Sequence, residues 1–333
     1  MIKRLLVLLI LPLAACDSPS SPEGTPLSES ALLSHLDFLA SDRLRGRLAG
    51  TEYELSAARY VRDMFVDYRL EPGASEYFQE FEMLVPIAQP SGRVSQNVLG
   101  VLPGKGSLAM EWVIVGAHYD HIGWDQVTED SIAVMNGADD NASGTALMLE
   151  VARFMSEYVA SGAIGDSDRR SIMFQAYGAE EYGLLGSNHF CNNPTVPMAD
   201  IVAMLNFDMV GRLRDNTLTL IGTSSSSEWE EVVEPANTES LVLSYQPGNS
   251  GRSDQACFYG ASKPVLFMHT GLHPEYHTAR DDVELINTEG MVRIGSFATG
   301  VVLDLVLRSE RLAGGEFEPD GPGIASKQLQ AVN

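Results

Sequence analysis

Short apolar runs recur through the middle of the chain and alternate with longer segments of helical pattern. The runs occupy residues 112–117, 171–177, 201–207 and 265–269. Their apolar positions are nearly continuous rather than alternating, which is typical of strands that are buried on both faces of a parallel sheet. The pattern therefore predicts four buried strands near the centre of one sheet.

Helical patterns flank these runs. Leu32, Leu36 and Leu39 recur at helical spacing, and such apolar stripes pack against a core. Helices are predicted over 29–40, 52–68, 144–158 and 290–308. Because strands alternate with helices, we predict an α/β fold, a three-layer α/β/α sandwich with a mostly parallel central sheet. No Pro-, Gly- or Ser-rich linker divides 29–310, so we expect one domain there and a polar C-terminal tail over 311–333.

The N-terminus has the order of a secretory signal. Lys3 and Arg4 precede an apolar stretch over 5–13, and small residues follow in Leu13-Ala14-Ala15-Cys16. A cysteine directly after two small residues resembles the lipobox of bacterial lipoproteins. That resemblance implies a signal peptide over 1–15, cleaved before a lipid-modified Cys16. A plain secretory signal with an incidental cysteine is the alternative.

Residues 17–28 contain four Ser, three Pro and one Gly, a composition that cannot pack a core. We therefore predict a flexible tether over 16–28. The expected location is the cell envelope, as an exported lipoprotein that faces the periplasm and is held to the membrane by a lipid anchor at Cys16.

Charge and cysteine content exclude several classes of function. With 22 Lys and Arg against 45 Asp and Glu, the chain carries a formal charge of −23, which disfavours nucleic acid and anionic lipid surfaces as partners. Three cysteines are too few for a disulfide scaffold or a cysteine-rich zinc fold. Cys191 and Cys257 could form a bridge in an oxidising compartment, but the sequence leaves their distance open.

Polar residues follow the predicted strands. In open α/β sheets ligands bind outside the carboxyl ends of the strands, so these side chains are expected to converge. The segments are His118-Tyr119-Asp120, Glu180-Glu181, Asp208, the loop with His273 and His277, and Gly137-Ala138-Asp139-Asp140-Asn141-Ala142-Ser143-Gly144 before a helix. Singly, each has an ordinary explanation: a loop histidine, a solvated turn, or a helix N-cap at Asp139-Asp140-Asn141. Their joint occurrence at successive strand ends favours a shared site.

The residue types suit zinc, which binds imidazole nitrogen and carboxylate oxygen. The five candidate ligands, with neutral histidines, carry a charge of −3; two Zn²⁺ and one bridging hydroxide would balance it. A single zinc would leave carboxylates uncompensated in a concave site. The candidates are His118, Asp140, Glu181, Asp208 and His277.

These motifs, in this order, resemble the co-catalytic-zinc aminopeptidase family of metallopeptidases. The resemblance spans roughly 30–305, includes the segments 42–47 and 96–100, and implies a zinc-exopeptidase-like fold with two Zn²⁺ ions and peptide substrates. It implies that Asp140 bridges the zinc ions, that His118 and Asp208 complete one site, and that Glu181 and His277 complete the other.

The same resemblance implies roles for two further carboxylates and one peptide bond. Glu180 would be the general base, and Asp120 would orient His118. The Asp140-Asn141 bond would be cis. One departure stands out: the family often has Ser-Asp-His before its last histidine, whereas this chain has Ser253-Asp254-Gln255.

Three hypotheses follow. The first is a dizinc metallo-exopeptidase that removes N-terminal residues from peptides. The second is a different reaction of the same fold, carried out by a carboxypeptidase or a glutaminyl cyclase. The third is a metal-free binding protein. The complete ligand set and the Glu180 base favour the first; the pattern identifies neither substrate-binding residues nor an oligomeric state.

Overall fold

A computed structural model describes residues 27–83, 93–128, 130–248 and 251–317. The predicted signal peptide 1–15, the lipidation residue Cys16 and most of the predicted tether lie outside the described residues. Leu27 and Ser28, assigned to that tether, belong to the domain: Leu27 is buried in the main core, and Ser28 Oγ caps the first helix.

The centre of the fold is a nine-stranded mixed sheet. The strand order of this sheet is β1-β3-β7-β4-β8-β11-β9-β10, and β2 pairs with β3. Two further strands, β5 and β6, form a separate two-stranded sheet. The strands are β1 (Glu71–Pro72), β2 (Phe78–Met83), β3 (Arg93–Leu102), β4 (Trp112–His118), β5 (Trp124–Thr128), β6 (Ser131–Val134), β7 (Ser171–Tyr177), β8 (Ile201–Phe207), β9 (Thr217–Ile221), β10 (Val242–Gln246) and β11 (Val265–His269).

The four strands predicted from apolar runs form the parallel centre of the sheet. β4 pairs parallel with β7 and β8, and β8 pairs parallel with β11. Toward the edges, β3 pairs antiparallel with β7, and β9 pairs antiparallel with β11. The predicted parallel centre is therefore confirmed, whereas the antiparallel outer strands make the whole sheet mixed.

Helices cover both faces, which confirms the α/β prediction. α1, α2, α3, α5 and α7 pack on one side and α4 and α6 on the other. They are α1 (Glu29–Leu39), α2 (Glu52–Asp67), α3 (Gly144–Ala160), α4 (Leu185–Asn192), α5 (Trp229–Ala236), α6 (Gln255–Gly260) and α7 (Thr288–Leu307).

Alternate residues of the central strands supply two cores. Val113 and Val115 of β4 face the five-helix layer, whereas Ile114 faces α4 and α6. A disulfide between Cys191 of α4 and Cys257 of α6, with a Cα–Cα distance of 6.2 Å, joins the two helices of the smaller layer. α7 is long and apolar enough to cross a membrane, but most of it is buried as the core helix of this fold.

The beginning of the predicted C-terminal tail packs on the domain. Arg311 pairs with Glu111 at 2.7 Å, Leu312 is buried, and Phe317 lies against the Tyr259 ring. Residues 311–317 are therefore attached to the fold, because they include apolar and charged side chains with partners on its surface. The rest of the tail lies outside the described residues.

Candidate metal centre

The carboxyl ends of the four parallel strands bring the predicted ligands to one place. His118 ends β4, Asp208 directly follows β8, and Glu181 lies four residues after the end of β7. His277 comes from the loop after β11, and Asp140 from the segment before α3. Parallel strands end at the same edge of a sheet, which is why residues distant in sequence meet here.

The donor atoms form two groups, and within each group they lie within 4.8 Å of one another. One group consists of His118, Glu180 and Asp208; the other consists of His121, Asp140, Glu181 and His277. Every residue predicted as a ligand is present, and Glu180 lies beside them. His121 is an addition that the sequence did not single out.

Asp140 belongs to the second group and also reaches His118 of the first. Its Oδ1 atom is 3.3 Å from His118 Nε2, and its Oδ2 atom is 3.0 Å from His277 Nε2. The two oxygens of one carboxylate therefore face different histidines. This is the arrangement that a ligand shared by two cations requires.

The adjacent glutamates diverge at the start of a turn, in which the Glu180 carbonyl accepts the N–H groups of Gly183 and Leu184. Glu180 joins the His118 group, and Glu181 joins the group of His277. Asp120 fixes both backbones, because its two carboxylate oxygens accept the Glu180 N–H at 3.0 Å and the Glu181 N–H at 3.3 Å. Asp120 also lies 3.7 Å from His118 Nδ1, which is longer than a hydrogen bond. Its direct bonds are thus to the glutamate segment.

The Asp140-Asn141 peptide bond is cis. Asn141 Oδ1 accepts the N–H of Gly144 at the start of α3 and that of Met209, and its Nδ2 donates to Phe207 O. The side chain of Asn141 therefore satisfies the first N–H of α3, whereas the N-cap residue, Ser143, makes no side-chain capping bond. The Asp140 carboxylate is directed at the histidines instead.

His273 supports the segment that carries Asp140. Its Nε2 atom is 3.2 Å from Asp139 Oδ2. Asp281 continues this network, since its Oδ2 accepts the backbone N–H groups of Asp139 and Asp140 at 2.9 and 3.1 Å. Because His273 and His277 share one loop, the network links the positions of two predicted ligands.

Gln255, the departure from the family pattern, is fully buried. Its Oε1 accepts from Asn206 Nδ2 at 3.1 Å, and Ser253 Oγ accepts from the same amide at 2.7 Å. Asn206 lies two residues before Asp208. Gln255 therefore holds the end of β8.

Arg47 is a fully buried cation behind the site. Its guanidinium donates to four backbone carbonyls, those of Leu39, Tyr119, Asn136 and Gly137, at 2.6–3.0 Å. Burial lowers its pKa to about 10, although the nearby carboxylates, Asp120 first among them, favour the charged form. Arg47 thus joins the end of α1 to the residue after His118 and to the approach to Asp140.

The environment of the site shifts the pKa values of its carboxylates in different directions. Burial raises the pKa of Glu180 well above the usual range, and Glu181 adds to this effect. Burial acts the same way on Asp140, but hydrogen bonds from His118 and His277 outweigh it and hold its pKa well below the usual value. Burial and Asp140 oppose ionisation of Glu181, yet His121 and His277 lower its pKa overall. The carboxylates that lie against His277, those of Asp140 and Glu181, therefore have lowered pKa values, whereas the pKa of Glu180 is raised.

The donor set fits zinc. Both groups offer only imidazole nitrogen and carboxylate oxygen, and neither contains a cysteine. A closed structural zinc site would be expected to use thiolates. Asp208 and His277 are still partly accessible, with side-chain exposures of 12% and 31%, so a substrate can reach the centre.

Sequence comparisons place the chain among peptidases. The model of Peptidase family M28 matches residues 97–302. Aminopeptidase YwaD of Bacillus subtilis is 28% identical over 267 residues, covering 76% of this chain and 52% of that protein. Leucine aminopeptidase 1 of Ajellomyces capsulatus is 28% identical over 309 residues, covering 84% of this chain and 75% of that protein. The chain therefore spans about half the length of the Bacillus relative.

Among solved structures, a zinc aminopeptidase from Bacillus subtilis matches with a TM-score of 0.68 and 20% identity, covering 88% of this chain and 98% of that one. The likeness shows a shared fold. The family match covers more than half of this chain and includes all the segments that form the site. The chain belongs to Peptidase family M28, the group of metallopeptidases that the order of its motifs resembles.

Proposed function

We propose that this protein is a zinc-dependent aminopeptidase that holds two zinc ions and hydrolyses the first peptide bond of its substrates. The observation that carries this proposal is the position of Asp140, whose two oxygens face His118 and His277 at 3.3 and 3.0 Å. One carboxylate placed between two donor groups has a clear use when each group holds a cation.

In this proposal the ligands divide between two positions. His118 and Asp208 would hold the first zinc, Glu181 and His277 would hold the second, and Asp140 would be a ligand of both. A zinc pair bound there would supply Lewis acidity toward a substrate carbonyl and would lower the pKa of a bound water.

Glu180 then serves as the general base. Glu180 lies beside His118 and Asp208 but is not one of the proposed ligands of either zinc. Asp120 fixes its backbone by accepting its N–H. The raised pKa of Glu180 favours acceptance of a proton from the attacking water and its return to the leaving amine. Asp120 positions the segment and takes no proton itself.

An N-terminal ammonium suits this site better than a C-terminal carboxylate does. The site is rich in carboxylates, and Arg212, the nearby cation of the His277 loop network, is already engaged by Asp281 at 3.4 Å. A carboxypeptidase needs a cation that is free to bind the substrate carboxylate. The charge therefore supports the aminopeptidase over the carboxypeptidase alternative.

Substrates with blocked ends test the assignment. Purified protein is assayed on a peptide with a free N-terminus, on its N-acetylated form and on its C-terminal amide, and zinc per chain is measured by elemental analysis. We expect hydrolysis of the free and amidated peptides only, with two zinc ions bound. Cleavage that needs a free C-terminus would indicate a carboxypeptidase. Cyclisation of an N-terminal glutamine peptide would indicate a glutaminyl cyclase.

We also propose that the protein is an envelope lipoprotein anchored through Cys16 and facing the periplasm. The support is the order of the first 28 residues, a signal-like segment, a cysteine after two small residues and a Ser- and Pro-rich tether. Membrane fractionation of the full chain and of Cys16→Ser tests it. The wild type should partition with membranes and the variant with the soluble fraction; identical partitioning would refute the anchor.

A further inference from the structure

His121 is a buried imidazole beside the candidate metal centre. Its side chain is fully buried, and its Nδ1 lies 2.7 Å from Glu181 Oε1 and 3.8 Å from Asp140 Oδ2. Its ring packs edge-on against His277, with ring centroids 5.5 Å apart. A Cβ added at Gly137 would lie 2.5 Å from the His121 ring, so the glycine leaves room for it.

The hydrogen bond to Glu181 has a defined direction. In the zinc site of the proposed function Glu181 binds metal as a carboxylate, which can only accept, so His121 Nδ1, 2.7 Å away, would be the donor to Oε1. The other oxygen, Oε2, is 3.3 Å from His277 Nε2. The two carboxylate oxygens of Glu181 therefore face different histidines, Oε1 facing His121 and Oε2 facing His277.

Two consecutive residues hold Glu181 from two directions. Asp120 accepts its backbone N–H, and His121 donates to its side chain. His121 is itself held by the segment that precedes α2, because its N–H lies 3.4 Å from Arg47 O and it forms a bridge with Leu48. Backbone and carboxylate of Glu181 are fixed independently.

We propose that His121 is a positioning residue that donates to Glu181 Oε1 and thereby leaves Oε2 alone to bind the second zinc. This inference rests on the zinc site of the proposed function and assigns His121 no bond to the metal. A partner that hydrogen-bonds a ligating carboxylate fixes its orientation, and loss of such a partner typically lowers metal affinity about 10–100-fold.

Two substitutions separate positioning from ligation. His121→Asn can place an amide N–H near the position of Nδ1 but is a poor zinc ligand, whereas His121→Leu has no donor. Zinc affinity at each of the two positions is measured by competition with a chelator, and Co²⁺-loaded protein is compared by its visible absorption. Circular dichroism verifies that each variant is folded.

If His121 positions Glu181, His121→Leu should lose about 10–100-fold in affinity for the second metal alone, and His121→Asn should recover most of it. The Co²⁺ spectrum of His121→Asn should match that of the wild type. His35→Asn, which alters a buried imidazole bonded to Tyr60 and Tyr68 in the helical layer, is the control and should leave both affinities unchanged.

Two results overturn the inference. Equal, severe loss of the second metal in both His121 variants, with an altered Co²⁺ spectrum in His121→Asn, would make the residue a ligand. Unchanged affinity in both variants would make it a packing residue. In either case, the proposed function still holds if the wild type binds two zinc ions. If the wild type binds no zinc, both the proposed function and the inference about His121 are wrong.

Discussion

Two adjacent glutamates divide the chemistry of the candidate site. Glu181 is held by His121 and His277, which lower its pKa, whereas burial and the nearby carboxylates outweigh His118 and raise the pKa of Glu180. Their side chains join different donor groups, and Asp120 fixes both backbones. Two residues of the same type thus have different proposed roles, Glu181 as a ligand and Glu180 as a base, because their surroundings differ.

Substitution of Glu180 tests that division. Glu180→Gln should lower kcat about 10²–10⁴-fold, the range typical of a lost general base, and should leave zinc content unchanged. Activity and metal content are measured on the same preparation. Glu181→Gln is the matched comparison, and it should lose the second metal. Near-normal turnover in Glu180→Gln, or loss of zinc from it, would contradict its role as the base.

The sequence predicted these residues because side chains at parallel strand ends must converge. His118 ends β4, and Glu180 follows β7, so their proximity follows from the sheet. His121 was missed, since its importance depends on Glu181, sixty residues away, and no local pattern distinguishes it from a loop histidine. Arg47 lay within a recognised motif, but its four carbonyl partners belong to three separate segments.

At the scale of elements, Arg47 connects the N-terminal helices to the loops of the site. Removing the Arg47 guanidinium would leave buried backbone carbonyls without a hydrogen-bond donor, and each such carbonyl would lower the free energy of unfolding by about 1–3 kcal/mol. Arg47→Lys keeps the charge but cannot reach all four carbonyls. We expect this variant to unfold more easily and to bind zinc more weakly, because the residues next to His118 and Asp140 are no longer fixed.

Arg170 provides a matched control. It is also buried, and it donates to the carbonyls of Leu305 and Arg308 and pairs with Glu111, at the end of the sheet away from the site. Arg170→Lys should lower stability without changing zinc affinity. Chelator competition and urea unfolding on both variants decide the matter. Equal zinc affinity in the Arg47 and Arg170 variants would show that Arg47 acts on stability alone.

A second element-scale prediction concerns Glu150, which joins α3 to the start of α1. Its buried carboxylate accepts the Ser28 N–H at 3.0 Å, pairs with Arg153 at 2.9 Å and lies 3.8 Å from His35. Burial opposes ionisation of Glu150, but the nearby His35 imidazole and the hydrogen bonds from Arg153 and Ser28 prevail and lower its pKa to about 2. The folded state thus releases this proton more readily than the unfolded chain.

Because the folded pKa lies below the unfolded value, the stabilisation is complete above about pH 4.5 and is lost as the pH falls toward 2. Glu150→Gln should be less stable than the wild type by about 3 kcal/mol at pH 7, and the difference should shrink below pH 4.5. Urea unfolding at several pH values measures it. Glu157→Gln, at the exposed partner of Arg153, should show almost no difference. If the difference in unfolding free energy between the wild type and Glu150→Gln stays constant with pH, ionisation of Glu150 does not contribute to stability.

Most of the elements that the sequence did not predict are short or partly exposed. The exception is β3, a ten-residue strand that is buried over most of its length, in which polar Ser95, Gln96 and Asn97 interrupt the apolar run. α4 and α6 span 8 and 6 residues, too few for a helical period to be visible. β9 and β10 lie on the outer side of β11, and all of β10 is at least partly exposed, so neither forms a continuous apolar run. The central strands were predictable because burial on both faces requires apolar residues at nearly every position.

At the scale of the whole molecule, charge and metal binding are coupled. The chain carries −23 overall, and four of its carboxylates, Asp140, Glu180, Glu181 and Asp208, surround the candidate metal centre. Without cations these neighbouring carboxylates repel one another, which destabilises the folded state. Zinc bound to the native state alone adds about 4 kcal/mol at a thousandfold excess over its dissociation constant.

Chelation should therefore lower the melting temperature by several degrees, and added salt should restore part of that loss. Salt screens exposed charges over about 8–10 Å near physiological ionic strength, so it relieves the general repulsion of an acidic surface. It screens the buried carboxylates of the site much less, and the recovery should be incomplete. Thermal melting of zinc-loaded and chelated protein at low and high salt measures both effects, with elemental analysis to verify metal loss. If the two forms melt together, the clustered carboxylates do not form a metal centre; if salt restores the full difference, the loss arises from surface charge instead.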